Sequence, residues 1–428
     1  MKTSFKLILG LIFGIFLLGI ITLKSSEVVL AIPLAAYLFA AILRRPEALN
    51  LSITREIYPE FAPQGAPLTV KVTVLNKGSL IDELVVEDVL PNGITKIDGK
   101  SSTITVLEAH GTVELTYTIE AQRGEYKGYG VLVHASDFLS FFELSFVYRT
   151  APHLVIHPHY PKLDRIKIRP PQTRGFAGPI PARQGGTGVD FWGVREYQTG
   201  DSQRQINWRL AARSSQDLYV NIFEQERVAD IGLIVDARLR ANIVTGSDSL
   251  FEHSVHAAAA LAENFLDDGN RVSLLIYGSG MSRVLSGYGK MQRDRILREL
   301  SKATLSINYA LGSLEHLPTR LFPAKSQIVL ISSLLPEDIP VIINMRAHGY
   351  AVIVISPDPI AYEYALAQDI SGTAYRIARA ERSFILSQLR QSGVQTVDWP
   401  VDQPFELIVR ETLTRLPLVS HDQRGQMR

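Results

Sequence analysis

Cysteine is absent from this chain of 428 residues. Its absence excludes disulfide bonds, thiol nucleophiles and thiolate metal sites together, although it is compatible with many compartments. An excess of one charge is also absent, because the chain contains 44 lysine and arginine residues and 43 aspartate and glutamate residues. Proteins that bind nucleic acid usually carry a basic excess, so the composition predicts no nucleic-acid partner.

The remaining composition is that of a folded protein. Hydrophobic residues make up 46% of the chain and charged residues 20%, which is typical of globular rather than disordered sequences. A chain of this length is too long for one ordinary hydrophobic core, so we expect two or three domains.

Two long apolar runs lie near the N-terminus. The first, residues 7–23, stands between two lysines, and the second, residues 28–43, ends at two arginines. Each is slightly shorter than the roughly 20 residues that cross a bilayer, but flanking basic side chains can extend the reach. A cleaved signal peptide is the alternative, yet no A-x-A-like site follows the first run. Residues 1–50 are therefore predicted to form a transmembrane helical hairpin, which makes the protein integral to the membrane through two helices.

The basic residues around this hairpin predict its orientation. Lys2 and Lys6 precede it, and Arg44 and Arg45 follow it. Since positively charged flanks stay on the cytoplasmic side, we expect a multi-pass protein of the cell membrane whose C-terminal domains are cytoplasmic.

Residues 51–150 show the period of β-strands. PLTVKVTVLNKG, for example, alternates apolar and polar residues and stops at a turn signal. Short strands at this spacing, with no helical stretch, predict an all-β immunoglobulin-like sandwich. We expect this domain to act as a spacer or docking surface.

Residues 151–189 are rich in proline and glycine and are predicted to be a linker. Between Lys162 and Arg183 they contain six basic residues and one acidic residue. A patch for anionic lipid or nucleic acid is one interpretation. We favour the other, a solvated connector lying over the following domain.

Residues 230–428 alternate between strand and helix patterns. The run IGLIVDA at 231–237 is continuously apolar, as in a strand buried on both faces. Helical spacing follows in SLFEHSVHAAAALAENFLDD, and further strands and helices alternate to the end. This order predicts a doubly wound, Rossmann-type α/β domain with a mainly parallel sheet.

A distinctive pattern lies in residues 190–229. It reads R-E-Y-x-x-G-D-x-x-R-x-I-x-W-x-x-x-A-R. Its fixed positions of interest are Arg195, Glu196, Tyr197, Gly200, Asp201, Arg204, Trp208 and Arg213. Together with the strand and helix that follow, this pattern resembles the family called domain of unknown function 58. The resemblance implies a membrane-anchored protein with a von Willebrand factor A-like domain.

The pattern allows three interpretations. Five arginines face six carboxylates between Asp190 and Arg227, a balance that favours a structural segment with buried Trp208 and paired charges. A partner-binding surface is the second interpretation. The third is a catalytic set drawn from Glu196, Tyr197, Asp201 and Arg213. We favour the structural segment, with its second half predicted to form a strand at the edge of the sheet.

The resemblance also implies a position for a metal ion. Von Willebrand A domains often bind Mg²⁺ through a D-x-S-x-S loop, whose oxygen ligands suit a hard cation. Asp236 occupies the first position here, but arginines 238 and 240 stand where both serines should be. We expect a degenerate site with no metal or other cofactor, in which one arginine pairs with Asp236.

Other catalytic motifs do not match. RQGGTGVD and YGSGMS fit neither the phosphate-binding loop nor the nucleophile elbow, and H-E-x-x-H is missing. We therefore predict a non-enzymatic, membrane-tethered adaptor whose A-like domain binds a protein. By resemblance, the partner suggested is a MoxR-type AAA+ ATPase acting in protein assembly or maturation. An extracytoplasmic envelope or secretion factor, and a hydrolase of unknown mechanism, are the alternatives.

Overall fold

The structure is a computed structural model of the whole chain. It describes residues 3–413 apart from 24, 44–48, 138–142, 151–152, 167, 169–179, 214–216, 246–247, 279, 306, 309–310 and 367–371. The chain divides into two compact units, Met1–His157 and Pro158–Arg428. Each unit is described by itself.

The first unit begins with two apolar helices, α1 (Thr3–Thr22) and α2 (Ser25–Leu43). The stretch Phe5–Thr22 is long and apolar enough to cross a membrane. The apolar part of α2, Val28–Ala40, is shorter than such a span. Among the described residues the structure therefore contains one helix with the length and composition of a span, where the sequence predicts two. The basic residues at 2, 24, 44 and 45 lie outside the described residues.

The rest of the first unit is built from β-strands, as the alternating pattern predicts. They are β1 (Leu51–Tyr58), β2 (Phe61–Pro63), β3 (Leu68–Asn76), β4 (Ile81–Asp88), β5 (Ile94–Gly99), β6 (Ser102–Leu107), β7 (Thr112–Ala121), β8 (Gly124–Lys127), β9 (Gly130–Ser136), β10 (Glu143–Arg149) and β11 (His153–His157). The last of them comes from the range predicted as a linker.

These strands form two four-stranded antiparallel sheets and one three-stranded sheet. The orders are β1-β3-β7-β5, β10-β9-β4-β6 and β2-β11-β8. Val70 and Val72 of β3 and Leu84 and Val86 of β4 are fully buried in one shared core. Every second residue of β3 faces this core, because successive side chains of a strand point to opposite faces.

A network of buried polar side chains lies inside this core. The guanidinium of Arg55 donates to the Asp88 carboxylate, to the carbonyl of Tyr129 at 2.8 Å, and lies 3.9 Å from the centre of the Tyr129 ring. Tyr117 donates its hydroxyl to the same carboxylate. Burial raises the pKa of Tyr129 to about 12, so its hydroxyl stays protonated at neutral pH.

The second unit contains the α/β region. Its elements are β12 (Ile180–Glu196), α3 (Trp208–Ala211), β13 (Tyr219–Arg227), β14 (Asp230–Asp236), β15 (Val244–Thr245), β16 (Asp248–Ser249), α4 (Leu250–Asp267), β17 (Arg271–Tyr277), β18 (Met281–Gly287), α5 (Gly289–Lys302), β19 (Gln327–Ile331), α6 (Asp338–Ala347), β20 (Ala351–Pro357), α7 (Pro359–Leu366), α8 (Gly372–Gln391), β21 (Gln395–Trp399) and α9 (Phe405–Thr412).

A six-stranded sheet in the order β18-β17-β14-β19-β20-β21 organises this unit. Five neighbouring strands of this sheet run parallel to one another, in the order β17, β14, β19, β20 and β21. At one edge, β18 pairs antiparallel with β17. Every residue of β14 is buried, which confirms the prediction of a central strand covered on both faces. The structure thus has the predicted α/β region with a parallel sheet, and it adds the unpredicted edge strand β18.

The described start of the second unit lies along α4. Asn264 of α4 donates to the carbonyls of Leu163 and Asp164, both at 3.1 Å. Arg165 forms an ion pair with Asp268 at 3.2 Å. Leu163 and Ile166 are buried, so this part of the predicted linker is packed against the helix.

Candidate functional site

The segment with the family-like pattern forms a two-stranded ladder. β12 pairs antiparallel with β13, with Glu196 opposite Tyr219 and Ile180 opposite Arg227. The second strand was predicted at the edge of the large sheet. In the described residues, β12 and β13 instead form a sheet of their own. Antiparallel pairing satisfies the backbone groups that the two strands turn towards each other, without the parallel sheet.

Two residues of the pattern, Arg195 and Asp201, form a bidentate ion pair. The guanidinium donates to both carboxylate oxygens at 2.6 and 2.5 Å, and the amide of Gln198 donates to one of them at 2.8 Å. The hydrogen bond from Arg195, followed by that from Gln198, lowers the pKa of Asp201. Gly200 has φ of +112°, which supplies the predicted turn between the partners. The carboxylate is therefore held as an anion that braces the turn.

Asn207 holds the next part of the segment and was not predicted. Its side chain accepts from the amide of Leu210 at 3.0 Å and so caps α3. The side-chain NH₂ of Asn207 donates to the side-chain oxygen of Asn221 at 2.8 Å, and the backbone amide of Asn207 donates to the carbonyl of Tyr219 at 2.8 Å. Asparagine before a helical turn is a recognisable capping signal. Asn207 thus fastens α3 to β13.

The side chains beyond these contacts face solvent. Trp208 is 65% exposed, whereas the structural interpretation predicted a buried indole. Glu196, Arg204 and Arg213 are also exposed, and Tyr197 is half-buried. The balanced charges do not make a buried network, and the structure brings together only Arg195 and Asp201 among the described pattern residues. We call residues 190–229 the braced segment, because the Arg195–Asp201 pair and Asn207 hold its described part through contacts within the segment. It presents Trp208, Arg204 and Arg213 to solvent.

A second group of polar residues lies at the carboxyl ends of the parallel strands. Asp236 ends β14, and Ser332 follows β19, so the parallel arrangement places them side by side. The Ser332 hydroxyl donates to Asp236 Oδ2 at 2.6 Å. This edge is where doubly wound sheets usually bind ligands.

Arg238 fills the space between two aspartates at this edge. Its guanidinium donates to both oxygens of Asp236, at 2.9 and 2.8 Å, and to both oxygens of Asp338, at 2.9 and 2.7 Å. All three side chains are almost fully buried. The pairing of an arginine with Asp236 follows the sequence prediction. The second carboxylate, from the start of α6, was not predicted.

The two carboxylates of this triad, which consists of Asp236, Arg238 and Asp338, keep the Arg238 guanidinium protonated. Burial alone would lower the pKa of Arg238, but the hydrogen bonds to Asp236 and Asp338 outweigh it and raise the pKa. One positive charge against two negative charges leaves the triad with a formal charge of −1. A guanidinium placed between two carboxylates performs electrostatically what a bound cation would do there.

A second arginine closes the neighbouring part of the edge. Arg382 of α8 donates to Asp398 of β21 at 2.6 Å, to the Ser356 carbonyl at 3.0 Å and to the Ser333 carbonyl at 3.3 Å. Asp358 caps the start of α7 through the amide of Ile360 at 3.0 Å. These contacts link the carboxyl ends of three strands, so much of this edge is held by charged hydrogen bonds.

A cleft of about 400 Å³ opens beside the triad. It is lined by Arg238, Leu239, Arg240, Gly278, Ile307, Asn308 and Gly312. Gly278 has φ of +133°, and a Cβ there would lie 2.3 Å from the amide nitrogen of Arg238. Glycine is therefore needed for the β17 loop to approach the triad. The cleft is mainly apolar, with Arg240 and its ion-pair partner Glu337 partly exposed beside it.

His253 of α4 belongs to an aromatic cluster. The His253 ring lies 6.0 Å from Tyr362 and 6.1 Å from Trp399. Within the described part of the chain, no group of three or more histidine, aspartate and glutamate side chains is arranged to hold a metal ion.

Comparisons with known proteins agree with the family resemblance over part of the chain. Residues 193–362 match the family model described as "Protein of unknown function DUF58". "Uncharacterized protein YeaD" of Bacillus subtilis (strain 168) is 26% identical over 271 residues, which cover 62% of this chain and 66% of that protein. "Uncharacterized protein Rv1480" of Mycobacterium tuberculosis (strain H37Rv) is 22% identical over 251 residues, covering 51% of this chain and 77% of that protein.

The comparison with solved structures found the FixG-related protein from Vibrio parahaemolyticus. The match covers 25% of this chain and 97% of that protein, with 15% sequence identity and a TM-score of 0.16. A score this low carries no assignment of fold or function. The similarity that remains informative is therefore to the DUF58 family model, over residues that contain most of the braced segment and five of the six strands of the large sheet.

Proposed function

We propose that the protein is a non-enzymatic, membrane-tethered adaptor whose second unit binds another protein. The observation that carries the proposal is the solvent-exposed Trp208 on a segment fixed by Asn207 and by the Arg195–Asp201 pair. A large aromatic side chain held in place but left exposed is typical of an interface anchor. Its neighbours Arg204 and Arg213 add exposed guanidinium groups, which are also enriched at interfaces.

The fold supports a binding role for the second unit. Five neighbouring parallel strands with an antiparallel strand at one edge are compatible with a von Willebrand factor A-like domain. In this proposal the immunoglobulin-like sheets of the first unit serve as a spacer, and α1 anchors the protein. The apolar stretch Phe5–Thr22 supports that anchor.

The candidate acids support a non-enzymatic role. Asp201 is locked in its ion pair with Arg195, and both oxygens of Asp236 accept from Arg238. A carboxylate already held by a guanidinium is a weak general base, because proton uptake would break that pair. The geometry of Asp201 and Asp236 therefore argues against a role for either carboxylate as a general base.

The partner we propose is a MoxR-type AAA+ ATPase, with the second unit in the cytoplasm. The test is crosslinking in native membranes, followed by detergent extraction, affinity purification and identification of the captured proteins. We expect capture of an AAA+ protein by the wild type and its loss in Trp208→Ala. Phe384→Ala is the matched control, because Phe384 of α8 is 63% exposed and lies outside the segment.

Two results would contradict this proposal. One is capture of the same proteins by Trp208→Ala as by the wild type, and the other is the absence of any AAA+ protein. The chain's lack of cysteine also permits a clean topology test with Ser383→Cys, an exposed position on α8. Labelling of intact cells by a membrane-impermeant maleimide would place this unit outside and favour an envelope or secretion factor.

A further inference from the structure

The strand β18 forms an open edge of the large sheet. It pairs with β17 on one side, with Tyr277 opposite Met281 and Leu275 opposite Arg283. No strand among the described residues pairs with its other side. Gln292 of α5 donates to the Leu285 carbonyl at 2.7 Å, so α5 covers one end. In the described residues the backbone from Met281 to Val284 pairs with β17 alone.

The outward side chains of this edge are two apolar residues with an arginine between them. Met281, Arg283 and Leu285 are exposed at alternate positions of β18, and the apolar Tyr288 and Met291 continue the surface at the start of α5. The side chains between them, Ser282 and Val284, are only partly exposed. An exposed edge strand with an apolar face is a template for pairing with another strand. Methionines suit such a surface because their flexible side chains adapt to different partners.

The charges around this edge are positive and uncompensated. Arg283 on β18 and Lys290 and Arg295 on α5 are exposed, and in the part of the chain that the structure describes none of them forms an ion pair. The acidic side chains nearby are already engaged. Glu299 accepts from Ser282 at 2.6 Å and from Lys302 at 3.1 Å, and Asp294 lies 3.5 Å from the side chain of Arg293.

We propose that the β18 edge binds an extended acidic segment of a partner protein by strand addition. The backbone from Met281 to Val284 supplies the hydrogen bonds. Met281, Arg283 and Leu285 share one face of β18, so on the matching face of the added strand apolar side chains pack on Met281 and Leu285 and the carboxylate beside them pairs with Arg283. A second carboxylate farther along the same face pairs with Lys290. This site is separate from the surface around Trp208 and does not depend on the identity of an AAA+ partner.

A structural role for Arg283 gives a different expectation. Charged residues in edge strands often serve only to prevent aggregation. In that case the edge would repel added strands and would bind no acidic peptide saturably. The two roles are therefore separable by a binding measurement on the purified protein.

The experiment uses the full chain in detergent and two fluorescently labelled peptides, Ac-TETVTETVT-NH₂ and Ac-TKTVTKTVT-NH₂, in which the charged and the apolar residues share one face of the strand. Fluorescence anisotropy should show saturable binding of the acidic peptide, tighter than that of the basic peptide by about tenfold or more. Arg283→Glu should reverse this preference. Arg346→Glu, the same change at an exposed position of α6, should leave it unchanged, and circular dichroism should show both variants folded.

A third peptide tests strand addition itself. Replacing two central threonines of the acidic peptide by proline keeps its charged and apolar side chains but removes backbone donors, so affinity should fall by about tenfold. Absence of saturable acidic-peptide binding, an unchanged preference in Arg283→Glu, or equal binding of the proline peptide would each overturn the inference. Hydrogen exchange should show slower exchange in β18 when the acidic peptide is bound; protection confined to another element would also overturn it.

Discussion

Arg238→Ala is the substitution that most directly tests the role of the buried triad. It removes four guanidinium hydrogen bonds to two carboxylates, which lie at 2.7–2.9 Å in the native protein. The side chains of Asp236 and Asp338 are at most 1% exposed, so they would face each other without a counter-charge. Breaking a buried ion pair by removing one partner costs about 3–5 kcal/mol. We expect a loss of this size in the free energy of unfolding.

The corresponding thermal effect follows from the size of the unit. For domains of 150–250 residues, 1 kcal/mol shifts Tm by about 2–4 °C, so the transition of the second unit should fall by about 10 °C. Differential scanning calorimetry of the full chain in detergent measures this shift. Arg240→Ala is the matched control, because Arg240 is 54% exposed and pairs with the partly exposed Glu337. Such a surface pair contributes about 1 kcal/mol or less.

Addition of Mg²⁺ sharpens the test. In Arg238→Ala, two carboxylates and the Ser332 hydroxyl would surround the vacated position, and oxygen ligands of this kind suit a hard cation. Millimolar Mg²⁺ should therefore raise the Tm of Arg238→Ala more than that of the wild type. A Tm for Arg238→Ala within about 2 °C of the wild-type value would refute the assigned role of the triad.

Three further predictions concern the braced segment and the loop beside the triad. The pKa of Asp201, followed by NMR titration, should lie below the ordinary value of 3.8 and return towards it in Arg195→Met. Because a lowered carboxylate pKa stabilises the fold above the unfolded value, the turn should loosen only as pH falls through the folded pKa. Gly278→Ala should cost about 2 kcal/mol or more in a thermal melt, whereas Gly280→Ala, with nothing within 4 Å of its new Cβ, should cost little; equal losses would contradict the steric argument. Asn207→Ala should remove about 1 kcal/mol of capping and speed hydrogen exchange of the α3 amides, and unchanged exchange would show that the cap is unimportant.

The large sheet was predictable because its central strands are covered on both faces. β14, β17, β19 and β20 are continuous apolar runs, and this pattern follows directly from double burial. By contrast, β18 alternates between exposed and partly exposed residues and contains arginine and two serines. An edge strand has little burial to impose a recognisable pattern, so it was not predicted.

The candidate site was less predictable because long-range contacts build it. Pairing of an arginine with Asp236 could be expected from neighbours two residues apart. Asp338 lies 100 positions beyond Arg238, and only the packing of α6 beside the strand ends brings it there. Trp208 shows another limit. Hydrophobic residue types favour burial on average, but many remain exposed, so residue identity alone could not place this indole on the surface.

The guanidinium of Arg238 is covalently attached to the loop that it organises. Unlike a bound ion, it has no dissociation constant, and its local concentration does not change with the supply of divalent cations in the cell. With its pKa raised by two carboxylates, it also has no titration in the physiological range. The strand ends beside the cleft are therefore held in one electrostatic state, which should be insensitive to chelators and to moderate changes in pH.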